Sequence, residues 1–164
     1  MFHVEVAERG RLNDESRHFR ASYPGTPWQF AGDVIRAVVA LARANRSLGG
    51  LAVRDLTHGV GGLPLPPAGS ARPDPLLAER LAYVIPRVGR RVPWRSDCLV
   101  QALAARQRLA AAGIASALHI GTRKDAAGQF EAHAWLTVGD LVVTGWDIAG
   151  LAGFAEFPVQ SVAP

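Results

Sequence analysis

Cys98 is the only cysteine among 164 residues, and it stands where a helix should begin, in "RVPWRSDCLVQALAARQRLAAAG". Ser96 is the expected N-cap, which would put Cys98 in the first helical turn. A cysteine so placed meets two favourable features. The positive end of the helix dipole favours thiolate over thiol, and the first-turn N–H groups can hold an oxyanion. The competing reading is a small apolar residue packed into a core. A nucleophile also needs a base. Of His3, His18, His58, His119 and His133, the last stands out. "EAHAWLTV" places His133 in mid-strand between alanines that leave room around the ring. His119, on the preceding strand, is the alternative, and an ordinary half-exposed strand histidine is the plain reading of either.

A third group would orient the imidazole and fix its tautomer. Asp147 in "TGWD" is the first choice, with Asp140 and a backbone carbonyl behind it. Register decides among them. A two-residue Gly139-Asp140 turn sets Trp146 opposite His133 and points Asp147 to the other face. A three-residue loop, or a bulge near Gly145, brings Asp147 opposite His133.

The elements that must position these residues follow from periodicity. "DVIRAVVALARANRS" (33–47) is a helix with Val34, Val38 and Leu41 on one face and Ile35, Val39 and Ala42 beside it. Asp74 and Pro75 are a candidate N-cap and first position for a second helix, which Pro86 should kink or end. The cysteine helix runs from about Asp97 to Ala112 and stops at Gly113. From there the period becomes two. "IASALHIGT", "QFEAHAWLTV" and "LVVTGWDI" read as three strands, the last two joined by a Gly-first hairpin turn. Less regular segments surround these. "FHVEVAE" could be a short strand, "ASYPGTPWQF" is turn-rich, and "LAVRDLTHGV" could be a short helix. The expected organisation is one compact α+β domain. It comprises an unassigned segment 1–31, a helical lead-in 32–92 with a Gly/Pro-rich loop 59–75, a core 93–150 and a C-terminal tail 151–164.

Composition narrows the function classes. Nearly half the residues are hydrophobic, so the chain should fold. It contains no apolar run long enough for a membrane span and no secretory signal pattern at its N-terminus. With a single thiol, a cytoplasmic protein is expected. The net charge is +4 and the pI about 10.2. Seventeen of the eighteen basic residues are arginines, but they are dispersed, and their alternation with alanine reads as solvated helix faces. That argues against a nucleic-acid partner.

"WRSDCLVQALAARQRLAAAGIASALHIGTRK", followed by "FEAHAWLTVGDLVV", resembles the transglutaminase-like leader peptidases of lasso-peptide biosynthesis. Cys98, Leu99, Ala102, Leu103, Leu109, Gly113, Gly121, Ala132, His133, Ala134 and Trp135 carry the resemblance, which covers about residues 93–143 well and 33–92 more loosely. It implies a transglutaminase/papain-like core, with a nucleophile helix packed on a small antiparallel sheet, and a Cys-His-Asp peptidase. That enzyme would cut the leader from a ribosomally made precursor. Cys98 and His133 match the family's catalytic motifs. The family's Asp falls by straight offset near Gly145, two residues short of Asp147. No winged-helix-like leader-binding domain is evident, which implies the stand-alone form. Its partners would be the precursor peptide, a separate recognition protein and an asparagine-synthetase-like cyclase. The resemblance also implies hydrolysis through a thioester without metal or nucleotide, with Gln101 as a possible oxyanion donor beside the first-turn amides. An acyltransferase or amidase of the same superfamily, and a non-catalytic scaffold, are the alternatives.

Overall fold

The computed structural model describes residues 22–48, 74, 76–124, 128–145 and 155–157. Three helices precede the sheet: α1 (Pro27–Leu48), α2 (Leu77–Gly89) and α3 (Cys98–Ala111). The strands are β1 (Ala117–Lys124), β2 (Phe130–Val138), β3 (Leu141–Thr144) and β4 (Ala155–Phe157). They form an antiparallel sheet in the order β3-β2-β1-β4. The fold is α+β, as expected, with α3 packed against β1, β2 and β3. The suggested strand at 2–8, the suggested helix at 51–60, nearly all of the Gly/Pro-rich loop, and Asp147 lie outside the described residues.

α1 begins six residues before its expected start. Thr26 and Gln29 form a reciprocal cap: the Gln29 N–H donates to Thr26 Oγ1 (3.3 Å) and the Thr26 N–H to Gln29 Oε1 (2.9 Å). Pro27 occupies the first helical position, where its missing N–H costs nothing. The buried face of α1 also differs from the expected one. Asp33, Ala37, Ala40, Leu41 and Ala44 are buried, Val34 and Val38 only partly so, while Ile35 and Val39 are 65% and 44% exposed. The reason is the partner. α3 buries Ala102, Ala104 and Ala105, so alanines on both sides let the helices come close, and the larger branched residues are turned outward.

α2 starts at Leu77, two residues later than Pro75 suggested. The Asp74 carboxylate instead accepts the Leu76 N–H at 2.9 Å, ahead of the helix. Pro86 sits inside α2, which runs on to Gly89. Two arginines depart from the solvated-face reading: Arg80 and Arg106 are buried. Asp33 accepts Arg80 Nε (2.8 Å) and Tyr23 Oη (2.7 Å), and Arg80 Nη1 reaches Asp74 (2.6 Å). This polar knot ties the start of α1 to the start of α2.

α3 ends as expected. Gly113 takes φ +70°, the Gly113 N–H donates to Ala110 O, and the Ile114 N–H reaches back to Leu109 O. In the sheet, Leu118 and Leu136 face the helical core with Ile120, Val138 and Leu141. The residues between them point to the other face. The segment after residue 150, expected as a tail, contributes β4, which pairs with β1 through Ile120↔Phe157, Gly121↔Glu156 and Thr122↔Ala155. Among the described residues, no helix is long and apolar enough to cross a membrane.

Candidate functional site

Asp97, not Ser96, caps α3. Its backbone is extended and its Oδ1 accepts the Val100 N–H at 3.1 Å, while Oδ2 receives Arg95 Nε at 2.7 Å. Serine and aspartate are both good caps, and their adjacency in "RSDC" left the start ambiguous by one residue. The outcome makes Cys98 the first residue of the helix, partly exposed. The Gln101 N–H bonds to Asp97 O. Among the described residues, the N–H groups of Cys98 and Leu99 have no partner, so they are the orphan donors of this helix start.

The loop leading into Cys98 is unusual in its polar groups. Trp94 Nε1 and Ser96 Oγ are out of contact with solvent and, among the described residues, have no hydrogen-bond partner. Gln101 Nε2 donates to Ser96 O at 2.8 Å, so the amide suggested as an oxyanion donor here holds the loop against the first turn. Gly89, the last residue of α2, lies against the same loop. A Cβ there would stand 2.9 Å from Ser96 Oγ and 3.1 Å from Gln101 Nε2.

His133 is in the middle of β2 and is 4% exposed. Its strand neighbour across β1 is Gly121, which has no side chain to crowd the ring. Trp135 lies two residues along the same face, its ring 6.2 Å from that of His133 and nearly parallel. His119 stacks on Trp135 from the neighbouring strand at 5.2 Å and contacts Thr137 Oγ1 at 3.1 Å. The two histidines thus share one tryptophan but differ in setting, since His119 is only partly buried. His133 Nε2 donates to Gly145 O at 2.8 Å. A carbonyl can only accept, so Nε2 carries a proton.

At the slot given by straight offset, Gly145 presents its main-chain carbonyl to His133. Gly145 has φ +83°, and a Cβ on it would meet Ala134 O and Trp135 Cβ at 2.6 Å. Only glycine fits this approach. The strand pairing also contains the kind of irregularity on which Asp147 depended. Val138 pairs with Leu141 and Thr137 with Val142, but Leu136 pairs with Thr144, so Val143 is an extra residue in β3. The bulge lies at Val143, two residues before Gly145. Asp140 is exposed in the hairpin turn, whose Gly139 has φ +54°. Among the described residues, no group of three or more His, Cys, Asp or Glu is arranged to hold a metal ion.

Cys98 and His133 stand on elements that pack together, α3 and β2, but His133 shares its face of β2 with Trp135, opposite the face from which Leu136 meets the helical core. Neither the curated proteins nor the solved structures contain a match to this chain. Residues 38–158 match the family model of the transglutaminase-like superfamily, a stretch that takes in the second half of α1, all of α2 and α3 and the whole sheet. The chain belongs to the transglutaminase-like superfamily, whose members are typically cysteine-dependent enzymes.

Proposed function

We propose that this chain is a cysteine peptidase that removes the leader from a ribosomally made lasso-peptide precursor. The observation that carries the chemistry is the buried imidazole of His133, protonated at Nε2 by its bond to Gly145 O, on a strand packed against the helix that Cys98 opens. The choice of leader–core junction as substrate comes from the resemblance of the "SDCLVQAL" and "EAHAWLTV" segments to that peptidase family.

In this reading His133 Nδ1 takes the Cys98 proton, and Sγ attacks the carbonyl at the junction. The Cys98 and Leu99 amides hold the oxyanion. His133 then protonates the leaving amine, the core peptide's new N-terminus, and water hydrolyses the thioester to free the leader. The protein acts in the cytoplasm with a separate recognition protein that delivers the leader, and an asparagine-synthetase-like cyclase consumes the core. Asp147 is proposed as the third residue. The extra residue at Val143 is the kind of irregularity that this reading needs. The Gly145 carbonyl holds the ring beside it.

The test is incubation of the full chain with its precursor peptide and recognition protein, followed by mass spectrometry. A single cut at the leader–core bond, lost in Cys98→Ala at unchanged circular dichroism, is the expected result. Cleavage by Cys98→Ala sinks the proposal. An acyl-transfer product instead of a free leader assigns the chain to the acyltransferase branch. Cys98 that alkylates no faster than free cysteine assigns it to a scaffold.

A further inference from the structure

The outward turn of Ile35 and Val39 leaves an open groove between α1 and α3, of about 700 Å³. Its floor is apolar, formed by Ile35, Val39 and Ala111, and Trp28, 88% exposed, lies on the same face of α1 two turns before Ile35. Its rim is cationic: Arg36, Arg43 and Arg46 come from α1 and Arg108 from α3. Among the described residues, no carboxylate lines it. Asp33 is the nearest acid to Arg36, at 3.6 Å, but it is already engaged by Arg80 and Tyr23. Arg108 is the informative member. Its Nε is out of contact with solvent and, among the described residues, has no hydrogen-bond partner. Burial pushes its guanidinium pKa down, and the like charge of Arg36 adds to that. A desolvated guanidinium donor without an acceptor is costly unless an anion completes it.

We propose that this groove docks an acidic amphipathic helix of a partner protein, with apolar side chains on Ile35 and Val39 and carboxylates on Arg43, Arg46 and Arg108. Planar guanidinium forks match carboxylates in pairs, and the apolar floor takes the i, i+4 side of a helix laid along it. Nucleic acid fits less well: a phosphate track needs a continuous basic stripe, and single strands need stacking aromatics among the cations, where this floor offers aliphatic residues. The inference rests on the groove alone and stands or falls separately from the peptidase reading.

Fluorescence anisotropy of the full chain with a labelled helical peptide of about 16 residues, glutamates on one side and leucines on the other, tests it. Saturable binding is expected, weakened about tenfold or more by Arg43→Glu with Arg46→Glu, and similarly by Glu→Gln changes in the peptide. Both arginines are solvent-facing, so thermal melts and Cys98 alkylation should stay as in the wild type. Binding unaffected by the double variant overturns the proposal. So does stronger competition by a DNA oligonucleotide, which assigns the groove to nucleic acid. Binding that emerges only after deletion of residues 1–21 also overturns it, by assigning the groove to the chain's own N-terminal segment.

Discussion

Two buried polar clusters in this molecule are built on opposite plans. In the knot of Asp33, Arg80, Tyr23 and Asp74, donors meet acceptors at 2.6–2.8 Å, and both carboxylates are engaged. Around Cys98, among the described residues, Trp94 Nε1 and Ser96 Oγ have no partner, and neither do the first two amides of α3. A closed network can only hold elements together, which is what the knot does for α1 and α2. Donors left open at a helix start can still bind something else. The contrast separates architecture from proposed chemistry without reference to residue type, since both clusters contain groups that could serve either purpose.

The largest expected effect lies on the open side. His133→Gln should slow leader cleavage by about 10²- to 10⁴-fold, the usual contribution of a general base, and should slow Cys98 alkylation at neutral pH. An unchanged alkylation rate would uncouple the two residues and collapse the contrast. On the closed side, Arg80→Met leaves the buried Asp33 carboxylate with Tyr23 and the solvent-facing Arg36 at 3.6 Å, and should cost about 3 kcal/mol of stability in urea melts. Cleavage rates normalised to folded protein should be unchanged. Gly145→Ala straddles both clusters' logic. Its strained φ and the clash with Ala134 and Trp135 should cost about 2 kcal/mol. Displacement of the carbonyl should also shift the His133 ring resonances in NMR spectra.

The smallest effect tests the knot by pH. Burial first, and then the bond to the Asp33 carboxylate, hold the Tyr23 hydroxyl up at about 12. An unfolded tyrosine ionises near 10. Below that pH the folded and unfolded states bind the same proton, and the contribution of Tyr23 is intact. Between about 10 and 12 only the unfolded state loses its proton, so stability falls. Tyr23→Phe should cost about 1 kcal/mol at neutral pH, and this difference should shrink as pH rises through that window in paired melts.

The sequence carried the site's frame better than its fittings. A lone cysteine before an alanine- and leucine-rich run, a glycine stop and alternating strands were enough for α3, β1, β2 and the hairpin, because each rests on local periodicity. The start of α1 has a readable signal, since "TPWQ" is a Thr-x-x-Gln cap with proline at the first position, but it is hidden among aromatic and turn-forming residues. The outward turn of Ile35 and Val39 was not readable, since hydrophobicity ranks them above Ala37 and Ala44. Only the closeness of an alanine-lined neighbour reverses the order. The Asp33–Arg80 tie spans 47 residues and leaves no periodic trace. The acceptor for His133 is a main-chain oxygen, which no choice of side chain announces.

That last feature bears on how such a protein can change over time. A hydrogen bond to a main-chain oxygen survives any exchange of side-chain identity that keeps the local path of the chain, but it depends on how many residues lie between the hairpin turn and Gly145. Loss of the extra residue at Val143, or gain of another, would carry a different atom to the imidazole while leaving Cys98 and His133 in place. Relatives that have lost activity should therefore be sought among length variants of this hairpin as much as among those that have lost the cysteine.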